Sequence, residues 1–238
     1  MPYISEAAQA KGMRRMFAQV ASNYDRINRA ISLGQDQAWR QFACRLAQPK
    51  AGGLILDIAT GTADMATILA QRGTRVVGLD LCSDMLELGR AKVQKAGLEA
   101  RTTFLLGDAL NLPFPDDTFD AAITSFALRN MGKLSLLFAE VRRVLRPGGR
   151  LVSLELAPPQ QGLTSMAHRF YLSRVVPVIG SWLGGPKGAY AYLPRSIINF
   201  HTPEAIKGIM VGVGLRQVAG YRLGLGAAMV HVALKQPS

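Results

Sequence analysis

The sequence predicts an α/β fold in which a mostly parallel, doubly wound sheet is covered by helices. Its 238 residues, 49% hydrophobic and 18% charged, are enough for one large domain with a buried core. Between residues 54 and 156, short apolar runs alternate with longer segments that read as helices. Strand–helix alternation with short connections is typical of a parallel sheet whose strand ends share one ligand-binding edge.

The elements follow one another in a regular order. Two helices are predicted ahead of the sheet, over residues 5–20 and 35–47. Strands are predicted over 54–59, 75–80, 101–106, 119–125 and 150–155, and helices over 63–72, 83–96 and 132–145. A helix over 203–213 precedes strands near 215–222 and 228–234, which a glycine-rich turn joins. We therefore expect a seven-stranded, mostly parallel sheet with an antiparallel last strand.

The whole chain, 1–238, is predicted to form a single domain with two helical additions. Residues 1–50 are expected to form an N-terminal helical cap, and residues 160–190 a helical insertion or lid before the last two strands. Within the insertion, residues 165–176 read as an amphipathic helix. Pro177 and Gly180 are expected to interrupt the helix beyond it.

The net charge of +12 is concentrated toward the two ends of the chain. Residues 1–50 hold eight Lys and Arg against three Asp and Glu, and residues 160–238 hold eight against one. Residues 51–159 hold twelve of each. Any single basic residue is explained by solubility, but basic flanks around a neutral core favour an anionic surface as partner, either membrane headgroups or nucleic acid.

Composition also bears on the compartment. No apolar run approaches the roughly 20 residues that a membrane helix needs, and the N-terminus lacks the layout of a signal peptide. Cys44 and Cys82 do not form a disulfide framework, so we expect a soluble protein of the cytoplasm. His168, His201 and His231 lack metal-ligand spacing, and no metal is expected.

Acidic residues lie at the ends of three successive predicted strands. Asp57 precedes a turn in which Gly61 lets the backbone approach a ligand at the start of a helix. Asp80 ends the second strand, where a carboxylate can accept two ribose hydroxyls, and Asp108 with the small Ala109 follows the third. The GxGxxG pattern of dinucleotide sites is absent. A nucleoside pocket without a pyrophosphate site is therefore predicted, which favours S-adenosylmethionine over NAD.

Longer motifs extend this interpretation to a family. Residues 50–156 resemble the class I methyltransferases, and nearly the whole chain resembles the UbiE/COQ5 family of quinone-biosynthesis C-methyltransferases. The motifs that carry the resemblance are Tyr24-Asp-Arg-Ile-Asn28 with Ser32-Leu-Gly34 and Trp39, Leu112-Pro-Phe-Pro-Asp-Asp-Thr-Phe-Asp120 with Ser125-Phe-Ala-Leu-Arg-Asn130, Arg143-Val-Leu-Arg-Pro-Gly-Gly-Arg-Leu151 running to Glu155, and Ala191-Tyr-Leu-Pro-Arg-Ser-Ile197. The resemblance implies a Rossmann-like enzyme that moves a methyl group from S-adenosylmethionine to a ring carbon of a prenylated hydroquinone, either demethylmenaquinol-like or a related naphthoquinol or benzoquinol.

The strand-end pattern and the resemblance together give the candidate site residues. The cofactor-binding set is Asp57, Thr60, Gly61, Thr62, Asp80, Leu81, Asp108, Ala109 and Ser125, and the substrate-binding set is Tyr24, Asn28, Asn130 and His201. Arg129 is the catalytic candidate, with Asp25 as its partner. Because arginine is a poor proton acceptor, Arg129 is expected to stabilise a phenolate and to position a water that removes the proton.

The predicted substrate also bears on partners. A lipid-tailed quinol resides in a membrane, so the basic flanks and the helix over 165–176 favour peripheral contact with an anionic membrane, at its inner face. Ordinary packing of that helix on the sheet is the alternative. A homodimer stays open, and no nucleic acid partner is expected.

Departures from the family pattern keep other functions open. Asp36 stands where the family usually has His, Ala157 where it usually has Ser, and Pro194-Arg195 where it often has Ala-Glu. One alternative is a methyltransferase for another small aromatic, natural-product or phospholipid acceptor. An RNA methyltransferase is allowed by the isoelectric point of about 10.2 but lacks a recognisable RNA-binding module. A non-enzymatic protein that binds the cofactor is the third.

Overall fold

Seven strands form one sheet at the centre of the computed structural model, which describes residues 12, 14–19, 21–159, 163–182 and 187–237. They are β1 (Leu54–Ile58), β2 (Arg75–Asp80), β3 (Thr102–Leu106), β4 (Phe119–Ser125), β5 (Leu145–Leu156), β6 (Arg216–Leu223) and β7 (Ala228–Leu234). Their order across the sheet is β3-β2-β1-β4-β5-β7-β6, and β7 runs antiparallel to both of its neighbours. The predicted α/β sheet with an antiparallel last strand is confirmed.

Helices cover both faces of this sheet. They are α1 (Tyr24–Ile31), α2 (Gln35–Leu46), α3 (Asp64–Gln71), α4 (Ser83–Lys95), α5 (Leu134–Val144), α6 (Leu163–Phe170), α7 (Val176–Trp182), α8 (Lys187–Ile198) and α9 (Pro203–Gly212). Residues 14–19 are also helical, and the rest of the predicted first helix, up to residue 11, lies outside the described residues. Helices α2 to α4 pack on one face, and α5 and α9 on the other. In β1, Ile55 and Leu56 are both buried but face different clusters, as in a strand covered on both sides.

The start of β5 differs from the prediction. The helix before it was expected to continue to residue 145 and the strand to begin at 150, yet α5 ends at Val144 and β5 begins at Leu145. Leu145 pairs with Phe119 and Arg150 with Ala121, so the intervening residues form an irregularity in the strand. Gly149 permits it, because a Cβ there would lie 2.7 Å from the carbonyl oxygen of Arg146.

The predicted helix break at Pro177 and Gly180 is wrong. A π-helical turn over Tyr171–Val175 follows α6 directly, and α7 contains both residues. Pro177 therefore stands in the first turn after the π-helical segment, where the altered hydrogen-bonding pattern accommodates its missing N–H. No helix in the described part of the chain is long and apolar enough to span a membrane.

Candidate active site

A cavity of about 440 Å³ opens at the carboxyl ends of β1 to β4, the edge where the topology predicts ligands. Of the predicted site residues, those that line it are Tyr24, Gly61, Asp80, Leu81, Asp108, Ala109, Ser125 and Asn130. The remaining predicted residues lie behind or away from its wall.

The turn between β1 and α3 is held in shape by Asp57. One of its carboxylate oxygens accepts hydrogen bonds from the Thr60 hydroxyl at 2.6 Å and from the backbone N–H of Ala66 at 3.1 Å. Burial raises the pKa of Asp57 to about 7, against the opposing effect of the Thr60 hydrogen bond. Ala59 and Ala63 have positive φ angles of 52° and 64°, a strained backbone of the kind found at ligand sites. Asp57 and Thr60 therefore shape the turn and do not line the cavity.

Asp80 connects that turn to the end of β2. It accepts hydrogen bonds from the backbone N–H groups of Gly61 at 2.8 Å and Cys82 at 2.9 Å. Burial raises the pKa of Asp80, although these backbone donors counteract it. Each carboxylate oxygen retains a further lone pair, so the group remains able to accept ribose hydroxyls. On the other side of the cavity, Asp108 is exposed and accepts from the N–H of Leu110.

Thr62 and Asp25 form a second layer behind the turn. The Thr62 hydroxyl donates to Asp25 at 2.6 Å, and the Lys92 ammonium on α4 donates to Asp25 at the same distance. These bonds join helix α1 to the turn between β1 and α3, and to α4. Asp25 was expected to assist Arg129, but its hydrogen bonds go to Thr62 and Lys92. The position of Asp25 therefore supports a structural role, in which it holds the turn between β1 and α3.

Arg40, which the sequence did not single out, is a buried cation beside the cavity. Its Nη1 donates to the Ser125 hydroxyl at 2.6 Å, and its guanidinium lies 4.9 Å from the centroid of the Phe126 ring. Its Nε lies 3.7 Å from Asp36 and 3.5 Å from Asp64. Ser125 accepts this bond and keeps its own hydrogen for a ligand in the cavity.

The Asp64 carboxylate also pairs with the Lys92 ammonium, 2.6 Å away, and so connects Arg40 to Lys92. Burial on its own would raise the pKa of Asp64, but the charges of Arg40 and Lys92 outweigh it and hold that pKa below its usual value. A continuous chain of charged groups thus runs behind the wall from Ser125 to Asp25. Its members come from different elements, and their contacts could not be read from sequence spacing.

Arg129 is buried against Glu155 at the end of β5. Its Nη1 donates to the Glu155 carboxylate at 2.5 Å and to the carbonyl of Phe126 at 2.7 Å. Burial opposes the charge, but the charge and hydrogen bond of Glu155, together with the phenols of Tyr24 and Tyr192, raise the pKa of Arg129 above its usual value. The Arg129 Nε–H is buried and has no hydrogen-bond partner among the described residues. The guanidinium is therefore a permanent cation with an unused donor.

Asn130 is the member of this pair that lines the cavity. Its side-chain oxygen accepts a hydrogen bond from the Tyr192 hydroxyl at 2.9 Å. Tyr192 lies on α8, which carries the insertion beyond its predicted end at residue 190 to Ile198, so the insertion supports the cavity wall from behind. Within the described residues the cavity lining includes no member of the insertion, and the predicted lid role stays untested.

The N-terminal cap closes another side of the cavity. Arg14, Phe17 and Tyr24 line it, and the Tyr24 ring meets Phe17 edge-on with centroids 6.0 Å apart. Burial raises the pKa of Tyr24, although the charge of Arg129 and a side-chain hydrogen bond with Asn28 act to lower it. Asn28 is not part of the lining. His201 is exposed and borders a separate small depression on the other side of Glu155, so the structure does not bring it to the cavity.

S-adenosylmethionine fits this donor set. Asp80 and Asp108 place two carboxylates in the cavity lining, groups that can accept the hydroxyls of a ribose and the amine of a base, and their negative charge suits a positively charged sulfonium. Gly61 has φ +55°, and a Cβ on it would meet no atom within 4 Å, which leaves open space at the turn for a ligand. Asp57, Thr60 and Thr62 do not belong to the cavity lining, and their hydrogen bonds hold the turn beside it.

Solved structures with the same arrangement give the class of the fold. A S-adenosylmethionine-dependent methyltransferase from Thermotoga maritima is 17% identical, with a TM-score of 0.67 over 94% of this chain and 100% of that one. The phosphoethanolamine N-methyltransferase 2 of Haemonchus contortus, solved with S-adenosylmethionine, is 18% identical, with a TM-score of 0.61 over 82% of this chain. The match covers 51% of that longer chain. The fold is therefore that of class I methyltransferases.

Sequence comparison identifies the family within that class. The chain belongs to the ubiE/COQ5 methyltransferase family, whose model matches residues 5–235. A demethylmenaquinone methyltransferase of Thermus thermophilus is 45% identical over 91% of this chain and 98% of its own length. One from Porphyromonas gingivalis is 38% identical over 98% and 97%, and the ubiquinone/menaquinone biosynthesis C-methyltransferase UbiE of Geobacter sulfurreducens is 39% identical over 94% and 88%.

These matches confirm the predicted enzyme class and cofactor. The chain is a methyltransferase of quinone biosynthesis that uses S-adenosylmethionine. Sequence reasoning missed Arg40, Lys92 and Glu155. Of these three, only Glu155 could have been found from the sequence, because it is the acid that ends a predicted strand.

Proposed function

We propose that this enzyme methylates a ring carbon of a prenylated naphthoquinol of the demethylmenaquinol type. The observation that carries the proposal is its 45% identity, over nearly the whole length, to a demethylmenaquinone methyltransferase. The cavity supports it, because Tyr24 and Asn130 lie in the same lining as the cofactor-directed carboxylates. An aromatic ring and a hydrogen-bonding amide are suited to a flat, hydroxylated acceptor.

When bound, S-adenosylmethionine would supply a methyl group on a positively charged sulfur. After a phenol of the hydroquinone loses its proton, a ring carbon would bond to that methyl carbon as the bond from the methyl carbon to sulfur breaks, and S-adenosylhomocysteine would leave. The protein aligns the two carbons and excludes water. Phe17, Tyr24 and Phe126 provide apolar walls, and the Ser125 hydroxyl, held by Arg40, contributes a fixed polar contact.

Arg129 favours the phenolate form of the acceptor. Its guanidinium remains charged beside Glu155, and a fixed cation near a phenol lowers the pKa of that phenol. The Nε–H of Arg129 is buried away from the cavity lining, so Arg129 acts on the acceptor through its charge and not through a direct hydrogen bond. A water takes the proton, and the charge on Arg129 compensates the negative charge that develops on the ring.

The acceptor's lipid tail gives the reaction its location. We infer that the enzyme works in the cytoplasm and meets its substrate at the inner face of a membrane. The concentration of Lys and Arg in residues 1–50 and 160–238 supports contact with anionic headgroups.

A methyl-transfer assay tests the proposal. The purified full chain is given S-adenosylmethionine with a labelled methyl group and, in parallel, a short-tailed demethylmenaquinol, the corresponding benzoquinol, or phosphatidylethanolamine. Mass spectrometry should find the label on a ring carbon of the naphthoquinol. Transfer to the phospholipid or to an unrelated aromatic, with none to either quinol, would establish the alternative acceptor class instead.

The role of Arg129 needs a variant that keeps the fold. Arg129→Gln with Glu155→Gln replaces the buried ion pair by two amides, so neither group is left as an unpaired charge. Turnover is expected to fall about 100-fold while cofactor affinity stays the same. Arg146→Gln, at an exposed ion pair with Asp120, is the control. Normal turnover by the paired variant would remove Arg129 from the mechanism.

A further inference from the structure

A row of large apolar side chains is exposed on the helical insertion. Met166, Phe170, Val178 and Trp182 are 70%, 63%, 67% and 86% exposed. Contiguous exposed apolar residues on a folded chain mark an interaction surface more often than isolated ones do. We call these four residues together with Arg174, which lies between Phe170 and Val178 in the sequence, the outer stripe.

The outer stripe is distinct from the face by which the insertion packs. Leu172 and Val176 are buried against Ile197 of α8, with Ile31 of α1 beside them. The prediction that residues 165–176 form an amphipathic helix is therefore incomplete, since the side opposite the core is apolar as well as basic. Packing on the fold explains only the inner face.

The π-helical turn helps to keep the outer stripe on one side. Positions 166, 170, 174, 178 and 182 recur every four residues, and each step on an ideal α-helix of 3.6 residues per turn would rotate by about 40°. The wider π-helical turn over Tyr171–Val175 takes back part of that rotation. Phe170 and Val178, on either side of the turn, therefore face a similar direction.

Charge identifies the kind of partner that fits. From residue 156 to residue 203 the sequence contains no Asp or Glu, whereas it contains Arg169, Arg174, Lys187 and Arg195. Arg169 and Arg174 are exposed beside the apolar side chains. Apolar side chains with Phe and Trp, accompanied by cations and no acids, are the composition of a helix that lies in the headgroup region of a membrane.

The insertion is also in contact with the acceptor side of the active site. The Tyr171 hydroxyl donates to the carbonyl of Ile31 at 2.7 Å, and Tyr192 donates to Asn130 in the cavity wall. A surface on this insertion would therefore hold the cavity near the membrane.

We propose that the outer stripe, with Arg169 beside it, docks the enzyme on an anionic lipid bilayer. The proposal rests on the proposed function in one respect, because a lipid-tailed quinol is what makes membrane docking useful. The apolar side chains enter the headgroup boundary, and Arg169 and Arg174 pair with lipid phosphates.

Vesicle flotation with the full chain tests this surface. The probes are phosphatidylcholine vesicles with and without phosphatidylglycerol, at low salt and at about 1 M salt, where charges are screened within about 3 Å. The wild type should bind the anionic vesicles and lose most of that binding in high salt. Phe170→Asp with Trp182→Asp should weaken binding at least about tenfold. Arg169→Gln with Arg174→Gln should abolish the preference for phosphatidylglycerol.

A matched control distinguishes the surface from a general effect of charge. Leu136→Asp with Val211→Asp places the same charges at exposed apolar positions on α5 and α9, and should leave vesicle binding unchanged. All variants are compared by thermal melting and by turnover of a short-tailed quinol, which should match the wild type. Turnover of a long-tailed quinol in vesicles should fall only in the outer-stripe variants.

The possible results separate clearly. Wild-type vesicle binding by the Phe170→Asp, Trp182→Asp chain would overturn the proposal. The proposal would also be overturned if the wild type were a dimer, this variant were a monomer, and neither protein bound vesicles. The outer stripe would then join two copies of the chain. Vesicle binding as expected, without methylation of any quinol, would support the surface and reject the proposed function.

Discussion

Removing the charge of Arg40 should destabilise the protein and loosen its cofactor site. The proposed change is Arg40→Met, which keeps an unbranched apolar stem but removes the guanidinium together with its contact to the Phe126 ring. Arg40 is 6% exposed, and it faces Asp36 and Asp64, which are 4% and 11% exposed. Asp64 retains Lys92 at 2.6 Å after the change, but Asp36 keeps only neutral donors, Ser32 and Gln37.

The magnitude follows from that difference between the two acids. One buried carboxylate is left without a cation, and breaking a buried ion pair in this way costs about 3–5 kcal/mol. For a chain of this size each kcal/mol lowers the melting temperature by about 2–4 °C, so a drop of about 6–20 °C is expected. Ser125 also loses its donor, and cofactor affinity should fall about fivefold, the effect of roughly 1 kcal/mol.

Thermal melting and calorimetric titration with the cofactor measure both effects. Asp36→Asn added to Arg40→Met removes the unpaired charge and should restore most of the stability, but not the contact to Ser125. Arg146→Met, at the exposed pair with Asp120, should cost less than about 1 kcal/mol. The assigned role would be refuted if Arg40→Met melted within about 2 °C of the wild type, which is roughly the precision of such assays. Failure of Asp36→Asn to restore stability would refute it as well.

Three further predictions concern the cavity wall and the residues that support it. Burial raises the pKa of Asp57 to about 7 from an ordinary 3.8, so the folded state holds a proton that the unfolded state releases, and stability should fall as pH rises from about 4 to 7. Asp57→Asn should flatten that slope in melts across this range; an unchanged slope would mean that another group causes it. Asp80→Asn should raise the dissociation constant of the cofactor at least about tenfold by calorimetry, and unaltered binding would exclude Asp80 from the ribose site. Tyr192→Phe removes the donor to Asn130 and should raise KM for the quinol about fivefold with cofactor affinity constant, whereas equal loss of both affinities would indicate a general loosening.

The fold could be predicted closely because its signals are local. Buried strands such as 119–125 are short apolar runs, and helices such as 83–96 end at glycine, so each element carries its own evidence. Acids at the ends of β1 to β3 could be grouped because parallel topology brings those ends together. The errors at Pro177 and at Arg146–Gly149 arose where a residue that usually stops an element was accommodated by a π turn or a strand irregularity.

The contacts behind the cavity could not be predicted in the same way. Arg40 and Ser125 are 85 positions apart, and Lys92 and Asp25 are 67 apart, so no spacing rule connects them. The sequence also could not tell an acid that faces the ligand from one that holds the turn. Asp57 is the penultimate residue of β1 and Asp80 the last residue of β2, yet Asp57 is buried beneath the turn and Asp80 lines the cavity.

The departures from the family pattern can now be judged by their surroundings. Asp36, where His is usual, is buried, accepts hydrogen bonds from Ser32 and Gln37, and lies near Arg40. It therefore helps to hold Arg40, which in turn bonds Ser125, and it is not part of the cavity lining. Ala157 is buried and donates its backbone N–H to Ala227, and Arg195 is exposed on α8. Because none of the three belongs to the described lining, they do not argue for another acceptor. The acceptor preference of this chain is therefore to be sought at Tyr24 and at Asn130, where the cap and the insertion meet the sheet.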